Sequence, residues 1–215
     1  MTYLQIVNKV LIRLRERTVS SVSQTTYSTM VGEFVNDAKR DVENAWDWGA
    51  LRDIVTVTTA DGTSTYALTG FGQEGKILSA WNDTSNRNMY SRSQAWFDRK
   101  NYGGETVSGS PYLYTFRGED SSDDAQLELW PVPDGVYSLK LNCKVPQAEL
   151  SDDADVLTIP WRPVVLQAVA MLAEEKGETD GTSSLRYFKM ADAAISDAIA
   201  IDANRYPLEL QFVEV

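Results

Sequence analysis

The hydrophobic positions at the start of the chain repeat with the period of an amphipathic helix. One apolar stripe predicts a helix over residues 2–17, and Thr2 and Gln5 have the spacing of a capping box at its start. A second stripe predicts a helix over residues 27–46. Because only the short polar stretch 18–26 separates them, the two helices are expected to pack as an antiparallel hairpin.

The helical period returns in the last third of the chain. Residues 161–176 are predicted to form a helix, and Gly177 is suited to its C-terminal cap. A further helix is predicted to begin at Ser183 or Ser184 and to end near Asn204. Each helix pair has an apolar face but is too small to be stable alone, so the N- and C-terminal hairpins are expected to form one helical bundle.

In the middle of the chain the apolar positions alternate, which is typical of strands. Residues 54–57 and 64–69 are expected to form one hairpin, and residues 76–81 and 87–90 a second. The longest candidate strand is residues 136–145. The pattern predicts a compact antiparallel domain of several short strands.

These elements predict an α+β fold in one large domain or two small ones. The predicted helical bundle combines residues 1–50 with residues 156–204. The antiparallel β-rich insertion domain covers residues 51–155, and an extended C-terminal arm covers residues 205–215.

The arm has the pattern of a strand. Pro207 stops any helix, and apolar residues then alternate with Glu209 and Gln211. Such a segment either pairs back onto its own domain or binds another chain through main-chain hydrogen bonds and alternate side chains, and both interpretations stay open. The second makes the arm a binding element, with these residues as its contacts: Tyr206, Pro207, Leu208, Leu210, Phe212, Val213 and Val215.

Composition removes most familiar catalytic chemistry. The chain has no histidine and one cysteine, Cys143. Zinc and copper sites of the usual type and nucleophilic mechanisms based on Ser-His or Cys-His pairs are therefore excluded. We expect no catalytic, cofactor-binding or metal-binding residues. No run of about 18 apolar residues exists, so no membrane span is expected.

The formal net charge is −11, from 20 basic and 31 acidic residues. A protein that grips DNA by its phosphates needs a basic patch, so the acidity argues against tight DNA binding. An acidic surface could instead let DNA slide past without adhering. Acidity also serves solubility alone.

A carbohydrate-binding or glycan-cleaving module is the alternative from a different class. Trp81, Trp96 and Trp130 could stack on sugar rings, and the acidic clusters at 123–124 and 152–155 could supply a pair of carboxylates. Aromatic residues at the ends of elements usually close a core, and acidic turns are usually solvated.

Several strings also resemble the head-to-tail adaptor, or connector, proteins of tailed bacteriophages, and the likeness covers nearly the whole chain. These strings are typical of packing and assembly, and none of them is a catalytic motif. They are Tyr3–Arg15, Phe34–Trp48, Val145–Ser151, Ile159–Val165 and Ala198–Arg205.

The resemblance implies a non-enzymatic virion protein at the head-to-tail interface, assembled in the host cytoplasm. Such adaptors form a ring, commonly dodecameric, beneath the portal protein. The ring extends the DNA channel, lets genomic DNA pass without specific binding, and offers a platform for tail nozzle or tube proteins. Their terminal segments reach the portal or a neighbouring subunit, which here would be residues 206–215. Another tail-side ring component, such as a head-completion or tail-tube terminator protein, is the alternative within this class.

Overall fold

A computed structural model gives the chain a mixed α+β architecture, with five α-helices and one seven-stranded sheet among the residues it describes. By contacts the chain divides into a helical unit, Met1–Ala50 with Gln147–Val215, and a β unit, Leu51–Pro146. Of the helices described, none is long and apolar enough to cross a membrane. The structure describes residues 1–72, 74–104, 107–121, 124–175 and 182–205.

The elements follow the chain in the order predicted, with helices at both ends and strands between them. The helices are α1 (Tyr3–Arg13), α2 (Thr26–Asn44), α3 (Gln94–Tyr102), α4 (Trp161–Glu175) and α5 (Thr182–Ala203). The strands are β1 (Arg52–Thr58), β2 (Thr65–Ala67), β3 (Lys76–Asn82), β4 (Arg87–Ser91), β5 (Leu113–Glu119), β6 (Ala125–Trp130) and β7 (Ser138–Lys144).

Helix α1 shows how local chemistry sets the ends of a helix. The predicted capping box is present, since the Thr2 amide donates to Gln5 Oε1 at 3.1 Å and the Gln5 amide to Thr2 Oγ1 at 3.4 Å. The helix ends at Arg13, so the prediction that it continues to residue 17 is wrong. Arg15 adopts the left-handed conformation, with φ 61°, and the Glu16 amide donates to the Leu11 carbonyl at 2.9 Å. This is a Schellman motif, which terminates a helix.

Within the helical unit, α4 contacts α1, α2 and α5, and α1 contacts α2. Most of α4 is buried, which explains why its sequence is apolar on nearly every side. The apolar stripes of α1 and α2 are buried as well. The residues that define this core in α4 are Val164, Val165, Ala168, Val169, Ala170 and Leu172.

By contacts the acidic segment 147–155 belongs to the helical unit, whereas the predicted β-rich insertion included it. The buried Asn36 side chain exchanges two hydrogen bonds with the Leu150 backbone, at 3.0 and 3.1 Å. Lys39 Nζ donates to the Gln147 carbonyl at 2.6 Å. Side chains of α2 therefore hold this segment through its backbone, which composition does not reveal.

The β unit is one sheet with strand order β1-β7-β3-β4-β5-β6-β2. Its neighbouring strands are antiparallel except β4 and β5, which pair in parallel with Tyr90 opposite Leu113. The prediction of an entirely antiparallel sheet is therefore wrong at this pair. The predicted hairpin of β3 and β4 is confirmed, with Ala80 opposite Met89.

The predicted hairpin of β1 with β2 is wrong. Strand β1 pairs with β7, and β2 pairs with β6. The intervening turn bonds elsewhere, because the Thr59 amide donates to Tyr137 and the Gly62 amide to Pro133. The two edge strands still line one cavity of about 270 Å³, so the sheet curls until it nearly closes. Buried side chains of β6 and β7 contribute half of the buried residues in its apolar core: Ala125, Leu127, Leu129, Leu139, Leu141 and Cys143.

Candidate functional site

Every arm residue predicted to make contacts lies outside the described residues. The last residue described is Arg205, two positions beyond the end of α5. The structure therefore places the starting point of the arm, and the surface around that point is the candidate functional site. The residues outside the described ranges are Tyr206, Pro207, Leu208, Leu210, Phe212, Val213 and Val215.

Asp202 anchors the C-terminal end of α5. The residue is 6% exposed, and its carboxylate accepts a hydrogen bond from the indole Nε1 of Trp46 at 3.2 Å. The same oxygen accepts from the backbone amide of Gly49 at 2.9 Å. Buried carboxylates are costly unless such donors satisfy them. The pair of bonds fixes the last turn of α5 against the segment that follows α2, and so fixes the position from which the arm departs.

A groove lies beside this anchor, with a volume of about 370 Å³, and we call it the α5 groove. One lining residue is the buried Trp48, whose indole nitrogen donates to the Val42 carbonyl at 2.7 Å. Its lining is mainly apolar. The lining residues are Met1, Trp48, Ala50, Thr158, Ile159, Pro160, Trp161, Ala198, Ile201, Asp202 and Arg205.

Ile201 is a large apolar residue of the α5 groove that is exposed, at 62%. The sequence places it with the apolar residues of α5, whereas Ala191, Ala194 and Ala198 form the buried face of that helix. In the sequence, the feature that points to this surface is an apolar residue, Ile201, that lies outside the buried face of α5. Asp202 carries no comparable signal, because its partners, Trp46 and Gly49, are more than 150 positions away.

Two cations lie next to the groove. Arg205 Nη1 is 3.9 Å from the carboxylate of Asp202, and most of the Arg205 side chain is exposed. Lys9 Nζ lies 4.7 Å from the centroid of the Trp161 ring, in cation–π geometry. The groove therefore combines an apolar lining with two neighbouring cations and one buried carboxylate, that of Asp202.

A second cavity, of about 410 Å³, lies at the N-terminal end of α1 and is acidic. Tyr3 lines it together with Glu33, Glu149 and Asp153. Burial raises the pKa of Tyr3 to about 12, and the negative charges of Glu33, Asp153 and Glu149 add to the rise. The Tyr3 hydroxyl therefore stays neutral at physiological pH.

The carboxylates of the acidic segment organise its backbone. Asp155 accepts hydrogen bonds at 2.8 Å from the amides of Ser151 and Asp152, and these bonds lower its pKa. Asp153 accepts from the amide of Val22 at 2.8 Å. These contacts are those of loop-forming acceptors, whereas a catalytic acid would need a raised pKa. In the other acidic cluster considered for a glycosidase, Asp123 lies outside the described residues.

The tryptophans considered for sugar stacking are partly buried. Trp96 and Trp130 pack edge to face with centroids 5.2 Å apart, and Tyr112 packs on Trp130 at 5.6 Å. Trp81 lies within strand β3 and is also partly buried. These rings contact each other, so the structure gives no support to a stacking platform at Trp96 and Trp130.

Metal-binding residues are not clustered in the described part of the chain, where no group of three or more His, Cys, Asp or Glu could hold an ion. The single thiol, Cys143, is buried in the β unit, and burial raises its pKa to about 11. A thiol in this state is a packing residue.

Comparison with known protein families gives a match that covers nearly the whole chain. The family model described as SU10 adaptor protein matches residues 1–211. The match includes both units and extends into the arm. Among curated proteins there is no match to this sequence.

Proposed function

The chain belongs to the SU10 adaptor protein family, and from that premise we propose that it is the subunit of a head-to-tail adaptor ring in a tailed phage. The ring, commonly dodecameric in proteins of this type, docks under the portal protein, extends the DNA channel and gives tail nozzle or tube proteins a platform. The subunit acts by assembly, without catalysis, at the head-to-tail interface of the virion. The match to the family over residues 1–211 is the observation that carries the proposal.

The arm is the proposed contact with the portal or a neighbouring subunit. Its alternating apolar residues suit the addition of a strand to a partner surface. The anchor at Asp202 supports this role, because it holds the last turn of α5 and gives the arm a defined starting point. A fixed starting point lowers the entropy that is lost when the arm binds.

The net charge supports the proposed channel. Twelve copies at −11 each would carry roughly −130, a field that discourages the DNA backbone from adhering to the ring. Long-range repulsion is screened by salt over about 8 Å at physiological ionic strength, so the effect is strongest at the surface of the ring itself.

The experiment that tests the proposed role of the arm compares portal docking of the full chain with that of a variant lacking Leu208–Val215. The truncation begins three residues after Arg205, so all described contacts of the helical unit remain. We expect the variant to keep the circular dichroism spectrum of the full chain and to lose binding to purified portal rings in a pull-down. Normal docking of the truncated chain would refute the proposed role of the arm.

The same pull-down distinguishes the related alternative. A chain that binds purified tail-tube or nozzle proteins but not the portal would be a tail-side ring component, such as a head-completion or tail-tube terminator protein. A chain that binds neither, and instead gives specific signals on a glycan array, would be a carbohydrate-binding module.

A further inference from the structure

We infer that the α5 groove of one subunit receives the arm, residues 206–215, of a second copy of this chain. The inference rests on the proposed function, because it needs copies that meet side by side. It adds the docking surface and its occupant to that proposal.

The groove suits a few apolar side chains. Its volume of about 370 Å³ lies near the lower end of the range for binding pockets. Ile159, Trp161 and Ile201 supply apolar lining, and the 62% exposure of Ile201 leaves apolar surface that an occupant would remove from water. The groove needs an occupant that presents apolar side chains on one face.

The arm has this pattern. Leu208, Leu210 and Phe212 fall on one face of an extended segment, with Glu209 and Gln211 on the other. In extended conformation the distance from Leu208 to Phe212 is about 13 Å. One stretch of five residues could therefore place its apolar face against the groove and leave its polar face in water.

Charge favours the same pairing. Lys9 and Arg205, the latter 3.9 Å from Asp202, lie beside the groove, and Glu214 falls on the same face of the arm as its apolar residues. Contacts between exposed charges add little affinity, about 0–1 kcal/mol each. They act mainly on the speed and register of docking.

The proposed ring, in which identical copies lie side by side, makes the arm of a second copy the occupant. Arg205 itself lines the groove, so the arm departs at the rim of its own site. Pro207 disfavours helical backbone at Tyr206 and favours an extended start. In a ring each subunit has adjacent copies, and ten residues in extended conformation span up to about 33 Å, a length suited to reaching from one copy to the next. One arm and one groove on each copy make a head-to-tail contact, the type that closes into rings.

The first part of the test measures how tightly the groove binds a labelled peptide of the sequence Tyr206–Val215. The receptor is the full chain with Leu208→Asp, Leu210→Asp and Phe212→Asp, so that its own arm does not compete. We expect saturable binding by fluorescence anisotropy. Adding Ile201→Asp should weaken binding at least about tenfold, because it places a charge in the apolar lining.

The matched control for Ile201→Asp is Leu185→Asp on the same helix. Leu185 is also exposed and apolar, and it lies 16 positions from Ile201, about 24 Å along α5. We expect this control to bind the peptide as tightly as its parent. Equal weakening by the two substitutions, or no saturable binding to the parent receptor, would overturn the assignment of the groove.

The second part identifies which copy supplies the arm. A photo-crosslinking amino acid replaces Phe212 in the full chain, and light and isotopically heavy copies are mixed in equal amounts with purified portal. Crosslinks to the groove should join light to heavy chains in about half of the cases, as random mixing of adjacent copies requires. Groove crosslinks only within chains of the same isotope would show that the arm occupies its own groove and would overturn the inference.

The two proposals fail in different ways. If a portal complex forms without crosslinks to the groove, the inference about the groove is wrong and the proposed ring is unaffected. If no complex with the portal forms, the proposed function fails, and the peptide measurement still reports whether the groove binds the arm sequence.

Discussion

Replacing Asp202 with alanine should loosen the C-terminal end of α5. The wild-type carboxylate is buried and accepts hydrogen bonds from Trp46 Nε1 at 3.2 Å and the Gly49 amide at 2.9 Å. A hydrogen bond to a charged group contributes about 1.5–3 kcal/mol. Both bonds end on one oxygen, so their contributions are not additive. We expect the free energy of unfolding of the helical unit to fall by about 2–4 kcal/mol.

Two variants separate the anchor from a general effect of charge. Asp197→Ala removes an exposed carboxylate from the same helix and should change the unfolding free energy by less than about 0.5 kcal/mol. Asp202→Asn keeps one oxygen acceptor but removes the charge, so its loss should lie between those of the two alanine variants. Urea unfolding followed by circular dichroism gives the global values.

Hydrogen exchange of the Gly49 amide reports the anchor itself, because that amide donates directly to Asp202. Protection should decrease in Asp202→Ala and be unchanged in Asp197→Ala. An Asp202→Ala chain with wild-type unfolding energy and unchanged protection of Gly49 would refute the reasoning, since the carboxylate would then contribute nothing to the end of α5.

Three further predictions follow from buried groups. Because the pKa of Tyr3 is raised from 10.0 to about 12, the folded state keeps the Tyr3 proton when the unfolded state has lost it, so the free energy of unfolding should fall as pH rises from 10 to 12. Tyr3→Phe should flatten this part of a plot of unfolding free energy against pH, and an unchanged slope would contradict the raised pKa of Tyr3. Cys143, with its pKa raised to about 11, should react with a thiol reagent only when the β unit opens; reaction at the rate of a free thiol in the native protein would contradict its burial. Gly32→Ala should destabilise the helical unit by about 1–3 kcal/mol, because the new methyl group would clash with the Tyr3 hydroxyl and Val22. The control Gly135→Ala has open space around the new methyl group and should be nearly neutral. Equal shifts of the melting temperature in the two variants would contradict the close packing at Gly32.

Local chemistry made the N-terminal helix predictable in part. The capping box of Thr2 and Gln5 fixes the start of α1, and both partners lie within one turn. The end of α1 was not predictable from apolar spacing, because Leu14 continues the stripe while Arg15 takes the left-handed conformation. An arginine in that conformation is uncommon, so the sequence gives no warning of it.

Strand pairing depended on contacts that sequence spacing does not encode. The turn between β1 and β2 has typical turn residues, yet Thr59 and Gly62 bond to residues more than 70 positions away. These long-range bonds place β1 beside β7 and β2 beside β6. The hairpin of β3 and β4 was predictable because its short turn keeps both strands adjacent.

The candidate site was likewise predictable only in part from the sequence. The strand-like arm was visible from the alternation that follows Pro207. The groove beside its starting point was not, because Trp48, Ile159 and Ile201 come together from three separate parts of the chain. The apolar residue Ile201, outside the buried face of α5, is the sequence feature that could have indicated this surface.

Mass measurement with and without the portal tests the central claim most directly. Native mass spectrometry of the chain mixed with purified portal rings should show a complex that contains one closed ring of adaptor subunits, with a whole-number ratio to the portal and a mass increment of 24.0 kDa for each subunit. A chain that stays monomeric beside unchanged portal rings, at concentrations where the folded state is intact, would contradict the assignment as a portal-docking ring subunit.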